Sequence, residues 1–271
     1  MNEIKLILCD LDGTLLNNES MVTDYTKQAI QKARDQGILF GVATGRSLYA
    51  VNQLIDKWQI RELCDVLLGF NGGQIIDESM NVNQLNYPLK GEYCLEIIEH
   101  FKDLPVNFVI YDKTTLYAFK KDMWSERLSK SNHFQEALMG DLDTFFKGKS
   151  YPKLQIACDA TDMPKVIERA ATFSSENYHC MQTGAFLFEY MDRNVSKSNG
   201  IKTVCDLHGY TMDNVCVFGD AANDRDMLQK AGLGVCMING DDTTKALSND
   251  ITEYTNNEDG VAKYIEKNIL K

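Results

Sequence analysis

Short apolar runs and helical patterns alternate near both ends of the chain. Residues 4–9 form a nearly unbroken apolar run, which is typical of a strand buried on both faces. Residues 23–36 place apolar side chains at helical spacing, with Thr23 able to cap the helix and Gly37 able to end it. The same patterns predict strands at residues 38–43, 66–70, 214–218 and 233–238, and helices at residues 48–58, 201–207, 224–231 and 259–269.

The middle of the chain has a different texture. Residues 108–111 and 116–119 are typical of strands, whereas residues 93–101 and 163–173 have helical spacing. Strands and helices are mixed there without the regular alternation of the two ends. We predict a Rossmann-like α/β core with a doubly wound parallel sheet, formed by residues 1–80 and 194–271, and an inserted α+β cap domain at residues 81–193.

Composition narrows the possible partners. Apolar residues make up 44% of the 271 residues, which is enough for a well-buried core. The formal net charge of −11 argues against a nucleic-acid-binding surface, because such surfaces need clustered Lys and Arg to neutralise phosphates. An anionic substrate must therefore be attracted by local positive charge, such as a metal ion, a lysine or helix N-termini.

Cysteine spacing and apolar runs indicate the compartment. The eight cysteines are scattered, with no C-x-x-C pair, and several lie in apolar runs, so we expect buried, reduced thiols. The first residues lack the apolar run of a signal peptide, and no stretch approaches the ~20 apolar residues of a membrane span. We expect a cytoplasmic protein with no membrane partner.

Two aspartates follow the first predicted strand, in the run Asp10-Leu11-Asp12-Gly13-Thr14. This position lies at the carboxyl end of the strand, where open α/β sheets bind ligands. A first carboxylate there can attack phosphorus, and a second can donate a proton to the leaving oxygen and later accept one from water. A capped turn is the structural alternative for this motif taken alone.

The second predicted strand ends in the same way, in Ala43-Thr44-Gly45-Arg46. The hydroxyl of Thr44 and the backbone N–H groups beside it can hold a phosphate oxygen. A helix N-cap fits Thr44 as well.

Two further elements lie in the last third of the chain. Gly219-Asp220-Ala221-Ala222-Asn223-Asp224 follows a predicted strand and brings carboxylates that suit Mg²⁺, a hard cation with oxygen ligands. Lys197 precedes the helix predicted at residues 201–207, and its charge can neutralise a phosphate and restrain Asp10. A turn with a helix cap and a solvated surface lysine are the structural alternatives.

These four elements, in this order, resemble the haloacid dehalogenase superfamily of phosphatases, and the length and position of the insert resemble its Cof-type branch with a large C2-type cap. The resemblance implies that Asp10 is the nucleophile and that Asp12 is the acid/base, whose backbone carbonyl also reaches the metal. The implied site residues are Leu11, Thr44, Gly45, Lys197 and Asn223 for phosphate, and Asp10, Asp12, Asp220 and Asp224 for Mg²⁺.

The sequence departs from the family pattern in two places. Ser198 follows the motif lysine where the family usually has glycine. The run Met237-Ile238-Asn239-Gly240 replaces the usual Met-Gly-Asn-Ala, which we expect to affect packing more than chemistry.

The expected function is a Mg²⁺-dependent phosphatase that hydrolyses small phosphomonoesters, with sugar phosphates as the first candidates, through an aspartyl-phosphate. The inserted domain is expected to exclude water and to select the leaving group. Arg46, Asn71 and Glu189 are candidate substrate contacts by position. A monomer or a homodimer fits equally well.

Other functions remain open at this point. A phosphomutase acting on hexose phosphates uses the same aspartate pair and predicts isomerisation with little phosphate release. A phospho-accepting regulatory module predicts a stable phosphoryl-aspartate without turnover. A binding protein with a decayed site is disfavoured by the complete set Asp10, Asp12, Lys197 and Asp220.

Overall fold

A computed structural model of the chain describes residues 3–271. The strands are β1 Leu6–Cys9, β2 Leu39–Ala43, β3 Val66–Gly69, β4 Gln74–Asp77, β5 Val82–Leu85, β6 Leu89–Lys90, β7 Asn107–Asp112, β8 Thr115–Ala118, β9 Gln135–Leu138, β10 Ser150–Tyr151, β11 Leu154–Ala157, β12 Tyr178–Gly184, β13 Leu187–Asp192, β14 Val215–Gly219, β15 Leu233–Cys236 and β16 Asp250–Ile251. The helices are α1 Asp24–Asp35, α2 Leu48–Trp58, α3 Gly91–Phe101, α4 Met123–Ser131, α5 Leu142–Phe146, α6 Met163–Ala171, α7 Lys197–His208, α8 Arg225–Lys230, α9 Asp242–Leu247 and α10 Gly260–Asn268.

The chain divides into two compact units. The described part of the first unit comprises residues 3–84 and Ser196–Lys271, and the second unit is Leu85–Val195. These limits lie within a few residues of the core and insert predicted from the sequence.

A sheet of eight strands organises the first unit, in the order β16-β15-β14-β1-β2-β3-β4-β5. Strand β1 is parallel to both β14 and β2, and β2 is parallel to β3, whereas β4 pairs antiparallel with β3. Alternate residues of β1 enter different apolar clusters: Ile7 packs with Phe40 and Trp58, and Leu8 packs with Ile201 and Met227. Both faces of the sheet are therefore buried, and the predicted doubly wound α/β core is confirmed.

The parallel strands place the predicted motifs on one edge of this sheet. Asp10 follows β1, Thr44 follows β2 and Asp220 follows β14. Because these three strands are neighbours and run in the same direction, the loops after them lie side by side at their carboxyl ends.

The helix carrying Lys197 begins earlier than the sequence pattern predicts. Lys197 is the first residue of α7 rather than a residue before it, because the Ser196 hydroxyl accepts a hydrogen bond from the Asn199 N–H and caps the helix. The polar run between Ser196 and Gly200 concealed this first turn, since apolar periodicity begins only at Ile201.

The second unit is built on a sheet of six strands in the order β12-β13-β11-β7-β8-β9, with β6 and β10 forming a separate pair. Strands β7, β11 and β13 are antiparallel neighbours. Its apolar core gathers residues from one face of this sheet and from α3 and α6, among them Phe108, Ile156, Tyr190, Ile97 and Val166. Within residues 3–271, no helix has both the length and the apolar character that a membrane crossing requires.

Candidate active site

A buried lysine joins two aspartates at the centre of the site. The Lys197 Nζ donates to Asp10 Oδ1 and to Asp224 Oδ1, each at 2.6 Å. Lys197 and Asp224 are fully buried, and Asp10 is 7% exposed. The first turn of α7 thus brings a positive charge directly against the predicted nucleophile.

Both carboxylate oxygens of Asp224 accept hydrogen bonds. While Oδ1 accepts from Lys197, Oδ2 accepts from the backbone N–H groups of Asp220 at 2.9 Å and Ala221 at 3.0 Å. Asp224 therefore fixes the shape of the loop that carries Asp220 and ties that loop to Lys197.

Asp220 completes a group of three acids. One carboxylate oxygen from each of Asp10, Asp220 and Asp224 lies within 4.8 Å of the others. The Thr14 hydroxyl donates to Asp220 Oδ1 at 2.7 Å. Gly13 is required next to this group, because its φ is +86° and a Cβ there would lie 2.6 Å from Asp220 Oδ2.

Burial and crowded negative charge change the proton affinities of these groups. Burial, together with the charge of Asp224, raises the pKa of Asp10 to about 8, although the Lys197 ammonium opposes the change. Burial raises the pKa of Asp220 to about 6, against the hydrogen bond from Thr14. Burial works to lower the pKa of Lys197, but the charges of Asp10 and Asp224 outweigh it and raise that pKa above its usual value.

Asp12 lies apart from the three acids and is bound by Arg46. The Arg46 Nε and Nη2 atoms donate to the two Asp12 oxygens at 2.8 and 2.7 Å. The Asp12 side chain is 55% exposed, so this forked pair sits at the accessible side of the site. Arg46, a candidate substrate contact from the sequence, is in this arrangement a partner of the predicted acid/base.

The loop after β2 is braced by Asn71. The Asn71 N–H donates to the Thr44 carbonyl at 2.9 Å, and Asn223 Nδ2 donates to Asn71 Oδ1 at 3.3 Å. Asn71 has a φ of +55°, and a Cβ on Gly45 would lie 3.2 Å from its Oδ1. Asn71 thus connects the loop of Thr44 with the loop of Asn223, a positioning contact that its sequence position did not reveal.

Three other residues that the sequence singled out, Leu11, Thr44 and Glu189, make contacts of their own. The Leu11 side chain is buried, and its carbonyl accepts from the Leu16 N–H at 2.9 Å. The Thr44 hydroxyl accepts from the Arg46 N–H at 3.2 Å. Glu189 belongs to β13 of the second unit, where Lys153 and Gln155 donate to its carboxylate.

Sequence reasoning missed the contacts of Thr14 and Asn239. Asn239 Nδ2 donates to the Gly13 carbonyl at 2.8 Å, and the Asn256 N–H in turn donates to Asn239 Oδ1 at 3.0 Å. The neighbouring Asp241 N–H donates to the Asp220 carbonyl at 3.2 Å. The turn after β15 therefore contacts the loop that carries Asp12 and the loop that carries Asp220. In the sequence, this turn was marked only by the run at residues 237–240, which differs from the family pattern.

Solved and curated proteins resemble this chain along almost all of its length. It is 27% identical over 269 residues to the 5-amino-6-(5-phospho-D-ribitylamino)uracil phosphatase YcsE of Bacillus subtilis, a match that covers 99% of this chain and 97% of that protein. A haloacid dehalogenase-like hydrolase from Bacteroides thetaiotaomicron superposes with a TM-score of 0.83 at 25% identity, covering 98% and 99% of the two chains. The HAD subclass IIB sugar phosphatase BT4131 has the same fold, with a TM-score of 0.80 at 19% identity over 97% and 98% of the chains.

The sequence profile of one family spans most of the chain. The family described as haloacid dehalogenase-like hydrolase matches residues 7–265, a range that contains all four motifs and the insert. The predicted resemblance and the prediction of an enzyme are thereby confirmed. The chain belongs to the haloacid dehalogenase-like hydrolases, as a phosphatase of that family.

Proposed function

We propose that this protein is a Mg²⁺-dependent phosphatase that releases phosphate from small phosphomonoesters through a covalent intermediate on Asp10. The observation that carries the proposal is the group of three acids around one buried lysine at the strand ends. Three carboxylates and one ammonium leave an excess of negative charge, which a bound cation offsets.

The donor set fits a hard divalent cation. Asp10 and Asp220 offer carboxylate oxygens, and the backbone carbonyl of Asp12 lies in the same loop as Asp10. We propose that Asp224 supports these ligands without binding the metal itself, because both of its oxygens already accept hydrogen bonds. When bound, Mg²⁺ supplies positive charge that offsets the acids and stabilises charge on the phosphoryl oxygens.

Asp10 carries the covalent step in this proposal. One of its oxygens forms a bond to phosphorus while the bond from phosphorus to the alcohol oxygen breaks, and Asp12 gives its proton to that oxygen. In the second step Asp12 takes a proton from water, whose oxygen replaces Asp10 on phosphorus. Lys197 offsets charge on Asp10 and on the phosphoryl group throughout.

Arg46 occupies both carboxylate oxygens of Asp12. Its Nε and Nη2 atoms each donate a hydrogen bond to one oxygen, so the closed pair leaves no oxygen placed to give a proton to the substrate. Proton donation in the first step requires Asp12 to leave Arg46, so we infer that this pair opens once per turnover.

Phosphate binding in the proposal uses backbone and side-chain donors of the neighbouring loops. The candidates are Leu11 and Gly45 through their N–H groups, and Thr44, Lys197 and Asn223 through their side chains. The loops after β1, β2 and β14 that carry most of them are adjacent, and Asn71 braces two of these loops.

The substrate class follows from the relatives by analogy. Similar proteins are named as phosphatases for a ribitylaminouracil phosphate and for sugar phosphates, and we propose a sugar phosphate or a related small metabolite here. The second unit is proposed to act as the cap that selects the leaving group.

The test is phosphate release from a panel of phosphomonoesters, with Mg²⁺ and with EDTA, for the wild type, Asp10→Asn and Asp56→Asn. Asp56 is the matched control, because it is an exposed acid paired with Arg61 in the same unit. We expect Asp10→Asn to lose at least about a thousandfold in rate, or about 4 kcal/mol of barrier, and EDTA to abolish release. Retention of a tenth of the activity in Asp10→Asn would overturn the mechanism.

The same panel separates the alternatives. Isomerisation of a hexose phosphate that a bisphosphate stimulates, with little phosphate release, would identify a phosphomutase. A stable phosphoryl-aspartate without turnover would identify a regulatory module.

A further inference from the structure

Ser198, which stands where the family usually has glycine, lies in the interior of the first unit. It is the second residue of α7, directly after Lys197, and only 2% of it is exposed. A buried hydroxyl requires hydrogen-bond partners, so the partners of Ser198 show what its side chain does. They come from the neighbouring helix α8 and from the residue that caps α7.

Helix α8 contacts Ser198 from two positions. The Ser198 N–H donates to Asp226 Oδ2 at 3.1 Å, and Lys230 Nζ donates to Ser198 Oγ at 3.1 Å. Asp226 and Lys230 are four residues apart, so they lie on the same face of α8. That face therefore binds both the backbone and the side chain of Ser198.

The Ser198 hydroxyl also reaches the residue that caps α7. The hydroxyl oxygens of Ser196 and Ser198 lie 3.1 Å apart, a hydrogen bond in which either can donate. Because an ammonium group only donates, Ser198 Oγ accepts from Lys230 and keeps its own proton available for Ser196. The hydroxyl thus links the cap of α7 to α8 through two consecutive hydrogen bonds.

These contacts lie next to both members of a buried ion pair. Lys197 is the first residue of α7, and Asp224 is the N-cap residue of α8. The ammonium and the carboxylate of this pair are therefore carried by the starts of the two helices that Ser198 joins. The placement of one helix start against the other sets how the Lys197 ammonium is shared between Asp224 and Asp10.

Backbone packing supports the start of α7 from another side. A Cβ on Gly200 would lie 2.8 Å from the Gly72 Cα, and a Cβ on Gly72 would lie 2.3 Å from the Ser196 carbonyl oxygen. Ser198 and Gly200 are two residues apart, which places them about 200° apart around the helix. The close packing at Gly200 prevents α7 from moving toward Gly72, whereas the hydrogen bonds at Ser198 hold it against α8.

We propose that Ser198 is a positioning residue. Bound by Lys230 on α8, its hydroxyl keeps the first turn of α7, and therefore the Lys197 ammonium, in place between the two acids. Ser198 acts only through Lys197 and does not itself contact the reacting atoms. The inference rests on the proposed phosphatase function, in which Lys197 offsets charge on Asp10 and on the phosphoryl group.

Ser198→Ala is the sharpest variant, because it removes the hydroxyl and keeps the N–H that donates to Asp226. Lys230→Met removes the partner of that hydroxyl from an exposed position on α8, so it tests the same contact with little risk to folding. The matched control is Ser129→Ala in the second unit. There a buried serine hydroxyl donates to the Glu126 carbonyl within one helix.

The kinetic test measures kcat and KM with Mg²⁺ for the best phosphomonoester of the panel. We expect Ser198→Ala and Lys230→Met each to lower kcat at least about threefold with little change in KM, because a displaced ammonium no longer orients Asp10 for attack. The double variant should lose no more than the larger single loss, since both changes break one contact. Ser129→Ala should leave kcat unchanged.

Urea unfolding in EDTA at pH 8 tests the same assignment without turnover. We compare the shift of the urea midpoint that Ser198→Ala causes in the wild type and in Asp10→Asn. If the hydroxyl acts by holding Lys197 against Asp10, the shift should fall to about half or less once that carboxylate is gone. Equal shifts in the two backgrounds would show that Ser198 has only a local structural role and would overturn the inference.

Failure of the two proposals looks different. If wild-type release does not depend on Asp10, the phosphatase mechanism fails, while the urea comparison still tests the link from Ser198 to Asp10. If release depends on Asp10 but folded Ser198→Ala and Lys230→Met keep the wild-type kcat, only the positioning role of Ser198 fails.

Discussion

Each of the two units buries one lysine against carboxylates, and the two clusters differ in how their charges balance. In the first unit Lys197 is shared by Asp10 and Asp224, and Asp220 lies beside them. In the second unit Lys153 is paired with Glu189, and Gln155 donates to the same carboxylate oxygen.

The balance of charge decides whether each cluster requires a further ion. An excess of buried carboxylates is unstable without a cation, so the first cluster suits the metal ion that the proposed function requires. The Lys153–Glu189 pair has no such excess of charge, so it does not require a cation. Net charge, rather than the presence of a buried lysine, distinguishes the two clusters.

The largest expected effect comes from removing each lysine in turn. Lys197→Met leaves three acids without their counter-charge. We therefore expect the rate of phosphate release to fall by at least about a hundredfold. In the metal-free protein at pH 8, we expect the unfolding free energy to fall by on the order of 3–5 kcal/mol. Lys153→Met leaves one carboxylate and should destabilise the protein less. Urea unfolding in EDTA and steady-state kinetics measure both, and an equal stability loss for the two variants would contradict the comparison.

The second prediction concerns pH in the absence of metal. The folded-state pKa is about 8 for Asp10 and about 6 for Asp220, both above the ordinary value of 3.8, so the folded protein holds protons that the unfolded chain has released. Unfolding free energy should therefore fall as the pH rises from about 4 to about 8, at up to about 1.4 kcal/mol per pH unit for each of the two groups while it titrates.

Urea titrations in EDTA across this pH range measure that slope. Mg²⁺ should restore most of the stability at pH 8, since it offsets the same charges. Asp10→Asn should flatten the profile in EDTA. A metal-free stability that rises between pH 5 and 8 would contradict the charge excess assigned to the first cluster.

The third prediction tests whether the turn after β15 positions the active site, and its effect should be the smallest of the three. Asn239→Ala removes a solvent-exposed hydrogen bond to the Gly13 carbonyl. We therefore expect the unfolding free energy to fall by about 0.5–1.5 kcal/mol. If this bond positions the loop of Asp12, kcat should fall several-fold with little change in KM. Asn132→Ala removes an equivalent bond, from Asn132 Nδ2 to the Leu128 carbonyl in the second unit, and should leave kcat unchanged.

Much of the fold followed from the sequence because its signals are local. The apolar runs at β1, β2 and β14 are continuous, so each predicted strand lies within two residues of the observed one at either end. The short elements α9 and β16 were missed, since Asp242–Leu247 and Asp250–Ile251 are too brief for a periodic pattern to emerge.

The positions of two candidate acids were also readable, because Asp10 and Asp220 directly follow strands. Asp10 and Asp220 come at the ends of neighbouring parallel strands, so their proximity follows from topology alone. The partners of Arg46, Asn71 and Glu189 were not readable. Each makes its side-chain contacts with residues distant in sequence or across a sheet, and local patterns do not encode such contacts.

The class of fold and the family of the enzyme could be read from the sequence, which also indicated the residues that we propose to react with a phosphate ester. The pairing of their charges could be seen only in the folded protein, where Lys197 lies between two acids, Arg46 binds Asp12 and Lys153 binds Glu189. The reason is physical. Strand and helix formation depend on spacing along the chain, whereas charge balance depends on distances and burial that exist only after the chain has folded.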